Sequence, residues 1–537
     1  MKKKIWIVGL VVLLSLSLIS GCGGGDATNE PNEPETEEKV LVFARGGDAV
    51  GLDPANVTDG ESFYVTRPVI DTLVDYDVDT TDVIPGLATS WEPLDKDGLI
   101  WEFKLREGVN FHDGTPFNAE AVKFNFDRWM DESNPYRHDG EVFEYWGYMF
   151  GDSTVKEVRA VDEYTIEIEL NNPFAPFINN LAMPCFAISS PDAIKEHGQD
   201  YFKNPVGTGA FKFVEWVKDD KIVLEKNPDF WGETAKVDKL VFRAIPDNSA
   251  RLLELQAGTI DIMIGLSPED AQIVKDDANL NLLLRPSMNV GYMAMNMMEE
   301  PFDNPLVRKA INHAVDKQAL IDAFYAGMAK PAKNPIPPSL WGYNDEVVDY
   351  EYNPEKAKEL LAEAGFPDGF TTELWAMPVA RPYMPQPKEI ATALQQQLAV
   401  VGIETEIVTM DWATYLEKGE YGEHKLYLLG WTGDNGDPDN FLYVLLDQDN
   451  AKVGSAGNVA FYKNQSVHDL LVAAQKETDQ DKRAKLYEDA QVIINEDAPW
   501  VPLVHSTEGI AAKKSVKNFI PHPTGGESTF WMVDIEE

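Results

Sequence analysis

Residues 23–38 read GGGDATNEPNEPETEE and hold no apolar side chain larger than that of Ala27. Such a segment cannot bury enough surface to offset the entropy of ordering it. It divides the chain into a short leader and a long body, and any folded core must lie after it. The leader carries Lys2, Lys3 and Lys4, an apolar run from Ile5 to Ile19, then Ser20, Gly21 and Cys22. A basic start, an apolar run of about 15 residues and a small-residue end make a secretory signal. A membrane span needs about 20 apolar residues. The expected organisation is a signal peptide over 1–21, a flexible acidic tether over 22–38 and a folded body from about Lys39.

Ile19-Ser20-Gly21-Cys22 resembles a bacterial lipobox. In signals of that kind the cysteine thiol is lipidated and becomes the mature N-terminus. The resemblance implies lipidation of Cys22 and an extracytoplasmic protein held to the cell membrane by that lipid. The second cysteine, Cys185, sits among Ala182, Met183, Phe186 and Ile188. Two cysteines make no disulfide framework, and the apolar setting of Cys185 predicts a buried, inert thiol. The chain has 46 Lys+Arg against 90 Asp+Glu, a formal net charge of −44. That balance argues against nucleic-acid binding, which wants a basic face, and against electrostatic docking on anionic lipid. Hydrophobic residues at 44% exclude disorder of the whole chain.

Strand patterns recur along the body at Val40–Ala44, Ile100–Arg106, Thr165–Leu170, Ile222–Lys226, Leu240–Ile245, Leu280–Leu284 and Glu404–Thr409. In Thr165–Leu170 the acids Glu167 and Glu169 alternate with Ile166, Ile168 and Leu170, the period of a half-buried strand. Helices interleave. Asn304-Pro305 and Asn353-Pro354 each place an N-cap before a proline at the first helical position. Further helices are expected at Asn118–Met130, Pro387–Val401 and Gln480–Asn495. The mixture predicts an α/β or α+β architecture with more than one core.

Signatures of catalysis are scarce. The sequence has no Gly-x-Ser-x-Gly elbow, no P-loop and no His-Glu-x-x-His. The eight histidines include no pair four apart for zinc. Asp75, Asp77 and Asp79 begin like a calcium loop, but Thr80 and Gly86 stand where it needs Gly and Glu. No metal and no cofactor is expected. Asp434, Asp437 and Asp439 form a denser acidic loop after the apolar segment Tyr427–Trp431. Carboxylates just beyond a strand end can meet a cationic ligand; the plainer reading is that they cap turns, and one ligand contact among the three is expected. Arg381, between Trp375-Ala376-Met377-Pro378-Val379 and Pro382-Tyr383, is costly to bury unpaired. Its planar fork suits a carboxylate, and a surface ion pair fits it equally well.

Several stretches match a known family. Ala88-Thr89-Ser90-Trp91-Glu92 and the run from Trp101 to Gly114 (WEFKLREGVNFHDG) resemble the hallmark segment of family 5 solute-binding proteins, the extracellular receptors of ABC importers for peptides and nickel. Asn204–Phe211 (NPVGTGAF) and Val307–Ala310 fit the same family, and the resemblance covers about residues 40–537. The segments Trp375–Tyr383 and Gly430–Asn440 resemble the pocket of its dipeptide-binding members.

The resemblance implies an α/β, two-lobed, periplasmic-binding-protein-like type II (cluster C) fold with a ligand cleft between the lobes. Lobe I would span 39–288 with 506–537 returning to it, and lobe II 289–505. It also implies roles. Arg381 would bind a peptide carboxylate, flanked by Pro382 and Tyr383. Asp434 would bind the ammonium, with Trp431, Thr432 and Gly433 offering backbone groups. Thr58, Asp59 and Gly60 would close from the opposite lobe, although Asp59 departs from the small neutral residue of the family. The implied protein is no enzyme. It is a monomer that captures dipeptides and delivers them to an ABC permease and ATPase. Other cargoes (oligopeptide, haem, glutathione, a metal chelate) stay open within that fold. More remote is a hydrolase hiding a carboxylate pair among the 90 acids.

Overall fold

The computed structural model describes residues 38–138, 140–151, 154–525 and 529–536. The expected signal peptide, Cys22 and the tether up to Glu37 lie outside the described residues.

The first strand, Val40–Arg45, shows why the central sheet forms. Leu41 and Phe43 enter one core with Leu240, Phe242, Ile262 and Ile510, while Ala44 faces a second core with Met263 and Ala511. Side chains alternate across a strand, so a segment apolar on both faces belongs in a sheet covered on both sides. The resulting seven-stranded sheet has the order Leu280–Arg285, Glu508–Lys513, Ile262–Leu266, Val40–Arg45, Lys239–Ala244, Lys221–Lys226, Phe211–Val217. Val40–Arg45 runs parallel to both its neighbours.

A four-stranded antiparallel sheet, Ala88–Pro93, Ile100–Leu105, Thr165–Leu170 and Val155–Asp162, extends the same lobe. The alternation in Thr165–Leu170 is realised: Ile166 and Ile168 are buried, and Glu167 and Glu169 pair with Arg159 at 2.9 and 2.8 Å. Under this sheet lies an aromatic core in which Trp129, Trp146, Phe150 and Phe186 make ring contacts. Cys185 lies in that core, fully buried, and burial raises its thiol well above the usual range. Cys185 is therefore expected to react with a thiol reagent only after unfolding of the body. Fast labelling of the folded protein would show that this core opens.

The second lobe is built on six strands in the order Ala329–Pro331, Trp500–Ser506, Asn289–Met295, Leu426–Thr432, Phe370–Trp375, Ile403–Val408. Its helices begin as the sequence predicts. Asn304 Oδ1 accepts from Leu306 N–H at 2.9 Å and Asn353 Oδ1 from Lys356 N–H at 3.0 Å. Pro387–Val400 ends just before Gly402, whose φ of 88° is left-handed and favours glycine.

The chain passes from the seven-stranded sheet to the six-stranded sheet between Arg285 and Asn289, and back between Ser506 and Glu508. Asn289 binds the two passages together. Its Nδ2 donates to Ser506 O, and its Oδ1 accepts from Ser506 N–H, both at 3.0 Å. Arg285 pairs with Glu508 alongside. Hinges are made of a few loop or element-terminal residues, and both passages are of that kind. The α/β, two-lobed architecture is thus the one expected.

Candidate functional site

A cavity of about 400 Å³ lies between the lobes. The first lobe supplies Thr58, Tyr145, Tyr148, Met149, Phe174, Pro176 and Asn180; the second supplies Trp431, Asp434, Asn435, Asp439, Asn440 and Val444. The lobes are closed on it. Asn435 Nδ2 donates to Asn180 Oδ1 at 2.6 Å, Ala175 N–H to Gln475 O at 2.6 Å, and Tyr145 Oη to Asp434 Oδ1 at 3.4 Å.

Strand Leu426–Thr432 delivers Asp434 to this place. One edge pairs along its length with Asn289–Met295, and Gly433 N–H continues that ladder to Met288 O at 2.8 Å. On the other edge, Phe370–Trp375 pairs only with Leu426 and Tyr427. Backbone groups alternate between edges along an antiparallel strand. With Trp431 and Gly433 directed at Val290 and Met288, the N–H and C=O of Gly430 and Thr432 point to the unpaired edge. The ring of Tyr383 covers Gly430, where a Cβ would come within 2.3 Å of it, so only glycine fits.

Asp434 is half-buried, and its partners are neutral. Asn440 Nδ2 donates to Oδ2 at 3.2 Å, and Tyr145 to Oδ1. Burial raises its pKa, and those two donors oppose the rise only in part. Among the described residues no cation pairs with it. A carboxylate so placed is stabilised by an incoming positive charge.

The other two acids of the loop differ. Asp437 is fully buried and bidentate with Arg483, at 2.8 and 2.9 Å. Asp439 is buried on the cavity wall, and burial, then the charge of Asp437, push its carboxyl up to about 7. The hairpin acid Asp75 pairs with Arg67 rather than shaping a calcium loop. One possible metal-holding group occurs among the described residues, Asp447, Asp449 and His468. Both Asp447 carboxylate oxygens already lie 3.0 Å from His468 Nδ1.

Of the residues singled out from sequence, the cavity wall gathers Thr58, Trp431 and Asp434. Asp59 caps helix Gly60–Thr66, accepting from Ser62 N–H at 2.9 Å, and Gly60 is exposed at the start of that helix. Thr432 is exposed and Gly433 buried at the strand end. Arg381 and Pro382 are exposed and Tyr383 is buried; none of the three lines the cavity. Arg381 and Met384 exchange backbone hydrogen bonds at 3.1 and 2.8 Å, which makes a tight turn. The Arg381 guanidinium lies 5.5 Å from the centre of the Trp412 ring, and among the described residues it has no ion pair. Sequence reasoning missed Tyr145 and Asn180, which arrive from the opposite lobe with no local signal. It also missed Asn435 and Asn440, although they lie inside a segment it had marked.

The model of the bacterial extracellular solute-binding proteins, family 5 (middle region), matches residues 82–452. The chain belongs to this family. Members are extracytoplasmic substrate-binding proteins that serve ABC transporters. This family 5 protein is 40% identical over 513 residues to the dipeptide-binding protein of Escherichia coli K12, covering 93% of this chain and 95% of the relative. It is 38% identical over 545 residues to heme-binding protein A of Haemophilus influenzae, covering 98% of each. A solved structure of an ABC transporter-associated periplasmic binding protein from Helicobacter pylori, in complex with the peptide STSA, matches at a TM-score of 0.74. That match has 40% identity and covers 93% of this chain and 98% of the other.

Proposed function

We propose that this family 5 protein captures dipeptides outside the cell, as a monomer held by a lipid on Cys22, and hands them to an ABC permease and ATPase. The lobes are taken as 39–288 with 506–537, and 289–505. The observation that carries the reading is Asp434, a half-buried carboxylate with no counter-ion among the described residues, on the wall of a closed cavity. Its natural partner is a peptide ammonium. The unpaired edge at Gly430 and Thr432 can take an extended peptide by backbone hydrogen bonds, which are blind to side chains. Arg381, with no ion pair among the described residues and its guanidinium over Trp412, is the cation proposed for the peptide carboxylate. A dipeptide holds its charged ends about 7 Å apart when extended, and a longer peptide would leave one end displaced. The small cavity suits such a ligand, since ordinary ligand pockets run from about 300 to 1,000 Å³.

The test is titration calorimetry on protein stripped of carried-over ligand by unfolding and refolding. A free dipeptide is expected to bind, and blocking its amine or its carboxylate to abolish binding. Arg381→Ala and Asp434→Ala are each expected to weaken binding by about tenfold or more, ~1.4 kcal/mol, with unchanged thermal unfolding. Full affinity in both variants would sink the assignment. Haem is the second reading, because the Haemophilus influenzae relative is named for it; a Soret band appearing on titration with haemin would favour it.

A further inference from the structure

The cavity and the expected partners of the peptide main chain do not coincide. Asp434 is on the cavity wall, whereas Arg381, Pro382 and Tyr383 lie off it. Gly430 and Thr432, whose backbone groups face the unpaired strand edge, are not on the wall either. The turn that carries Arg381 meets this strand at Gly430, which the Tyr383 ring covers. A dipeptide with its ammonium on Asp434 and its main chain along that edge therefore places only its first residue in the cavity. The side chain of that residue is what the rest of the space, about 400 Å³ in all, can receive.

The walls are mostly apolar. Tyr145, Tyr148, Met149, Phe174 and Pro176 come from the first lobe and Val444 from the second. Their polar neighbours are largely spent on one another. Asn435 donates to Asn180 across the cleft, and Asn440 Oδ1 accepts from Trp431 Nε1 and from Asp434 N–H, both at 3.0 Å. Asp439 Oδ2 accepts from Gln475 Nε2 at 3.3 Å, and its Oδ1 is shut off from solvent. No described lining residue is Lys, Arg or His. A charged side chain entering here would give up water for little return, whereas an apolar one gains by burial.

Tyr148 makes the same point from the surface side. It lines the cavity and is nevertheless 73% exposed. Its ring stands at 90° to that of Tyr145, with centroids 6.4 Å apart, and Tyr145 lies 6.1 Å from Phe63 behind it. The ring is held on one side and left to be covered on the other, and a further aromatic ring adds an edge or face contact to the gain from burial.

We infer that the cavity selects dipeptides whose ammonium-bearing residue has a large apolar side chain, lodged among Tyr148, Met149, Phe174 and Val444. The inference rests on the dipeptide reading, with Asp434 taking the ammonium. The second residue lies along the strand edge, outside these walls, so the selection is for order as well as for composition.

The experiment compares Phe-Ala, Ala-Phe and Ala-Ala by calorimetry on the purified protein, stripped of carried-over ligand. Phe-Ala is expected to bind about fivefold or more tighter than Ala-Ala, since burial of such a side chain is favourable even with one side open. Ala-Phe, of the same composition, is expected to gain less. In Phe174→Ala the gain of Phe-Ala over Ala-Ala should fall by about half or more, with that of Ala-Phe unchanged. An Ala-Phe gain equal to or larger than that of Phe-Ala in the wild type overturns the inference without need of any variant. So does a Phe-Ala gain that persists undiminished in folded Phe174→Ala. If Ala-Ala binds and Phe-Ala gains less than about fivefold, this inference alone fails. If none of the three binds, the dipeptide reading fails and takes the inference with it.

Discussion

Arg483→Ala is expected to cost about 3–5 kcal/mol of stability, the range for removing one partner of a buried, hydrogen-bonded ion pair. The guanidinium, on helix Gln480–Asp497, makes two bonds to Asp437, one from Nε to Ala474 O at 2.9 Å and one from Nη2 to Tyr487 Oη at 3.0 Å. Its Cζ also lies 5.0 Å from the centre of the Trp341 ring. Truncation leaves Asp437, at 0% exposure, charged and alone beside Asp439. The loop that presents Asp434 loses its anchor at the same time, so dipeptide affinity should fall as well. The urea midpoint of unfolding measures the first effect. Replacing both partners together, Asp437→Leu with Arg483→Leu, should cost less than the sum of the single changes, because neither charge is then stranded. A loss below about 1 kcal/mol for Arg483→Ala would mean that the pair is solvated and that the loop is held by other contacts.

What the sequence reveals depends on whether the deciding contact is local. Thr165–Leu170 is legible because one face meets the core and the other carries acids. The helices at Pro305 and Pro354 are legible because an asparagine cap and a proline suffice to start them. Asn289–Met295 is not, since it is buried at all seven positions and a fully buried strand has no alternation to read. The same divide runs through the site. Asp434, Asp437 and Asp439 stand out only together, as acids just beyond an apolar strand, and the family resemblance alone picks out Asp434; Arg381 stands out as an isolated cation among prolines and aromatics. Nothing local separates Asp437, which is structural, from Asp439, which lines the cavity. The difference is made by Arg483, on a helix beyond the next one. Tyr145 and Asn180 reach the cavity only when the lobes close.

Gly436→Ala is expected to raise the dipeptide Kd by about five- to a hundredfold while leaving the unfolding of the unliganded protein unchanged. A Cβ at Gly436 would lie 2.4 Å from Thr81 Cβ and 2.8 Å from Thr81 O, across the cleft. Neither side is free to yield. Trp341 Nε1 donates to Gly436 O at 2.7 Å on one lobe. On the other, His522 Nε2 lies 3.1 and 2.8 Å from the carbonyls of Asp77 and Thr80, next to Thr81. Overpacking of this kind costs about 1–3 kcal/mol. When the lobes are apart the methyl meets nothing on the first lobe, so the penalty falls on closure alone and appears in affinity, at about 1.4 kcal/mol per tenfold. Calorimetry gives the Kd, and small-angle scattering should show less compaction on adding ligand than in the wild type. Adding Thr81→Gly should recover part of the affinity, because the side-chain clash goes while the one with Thr81 O stays. Wild-type affinity in Gly436→Ala would mean that the bound state does not bring Thr81 onto this loop, and that the closure seen here is not the one that captures ligand.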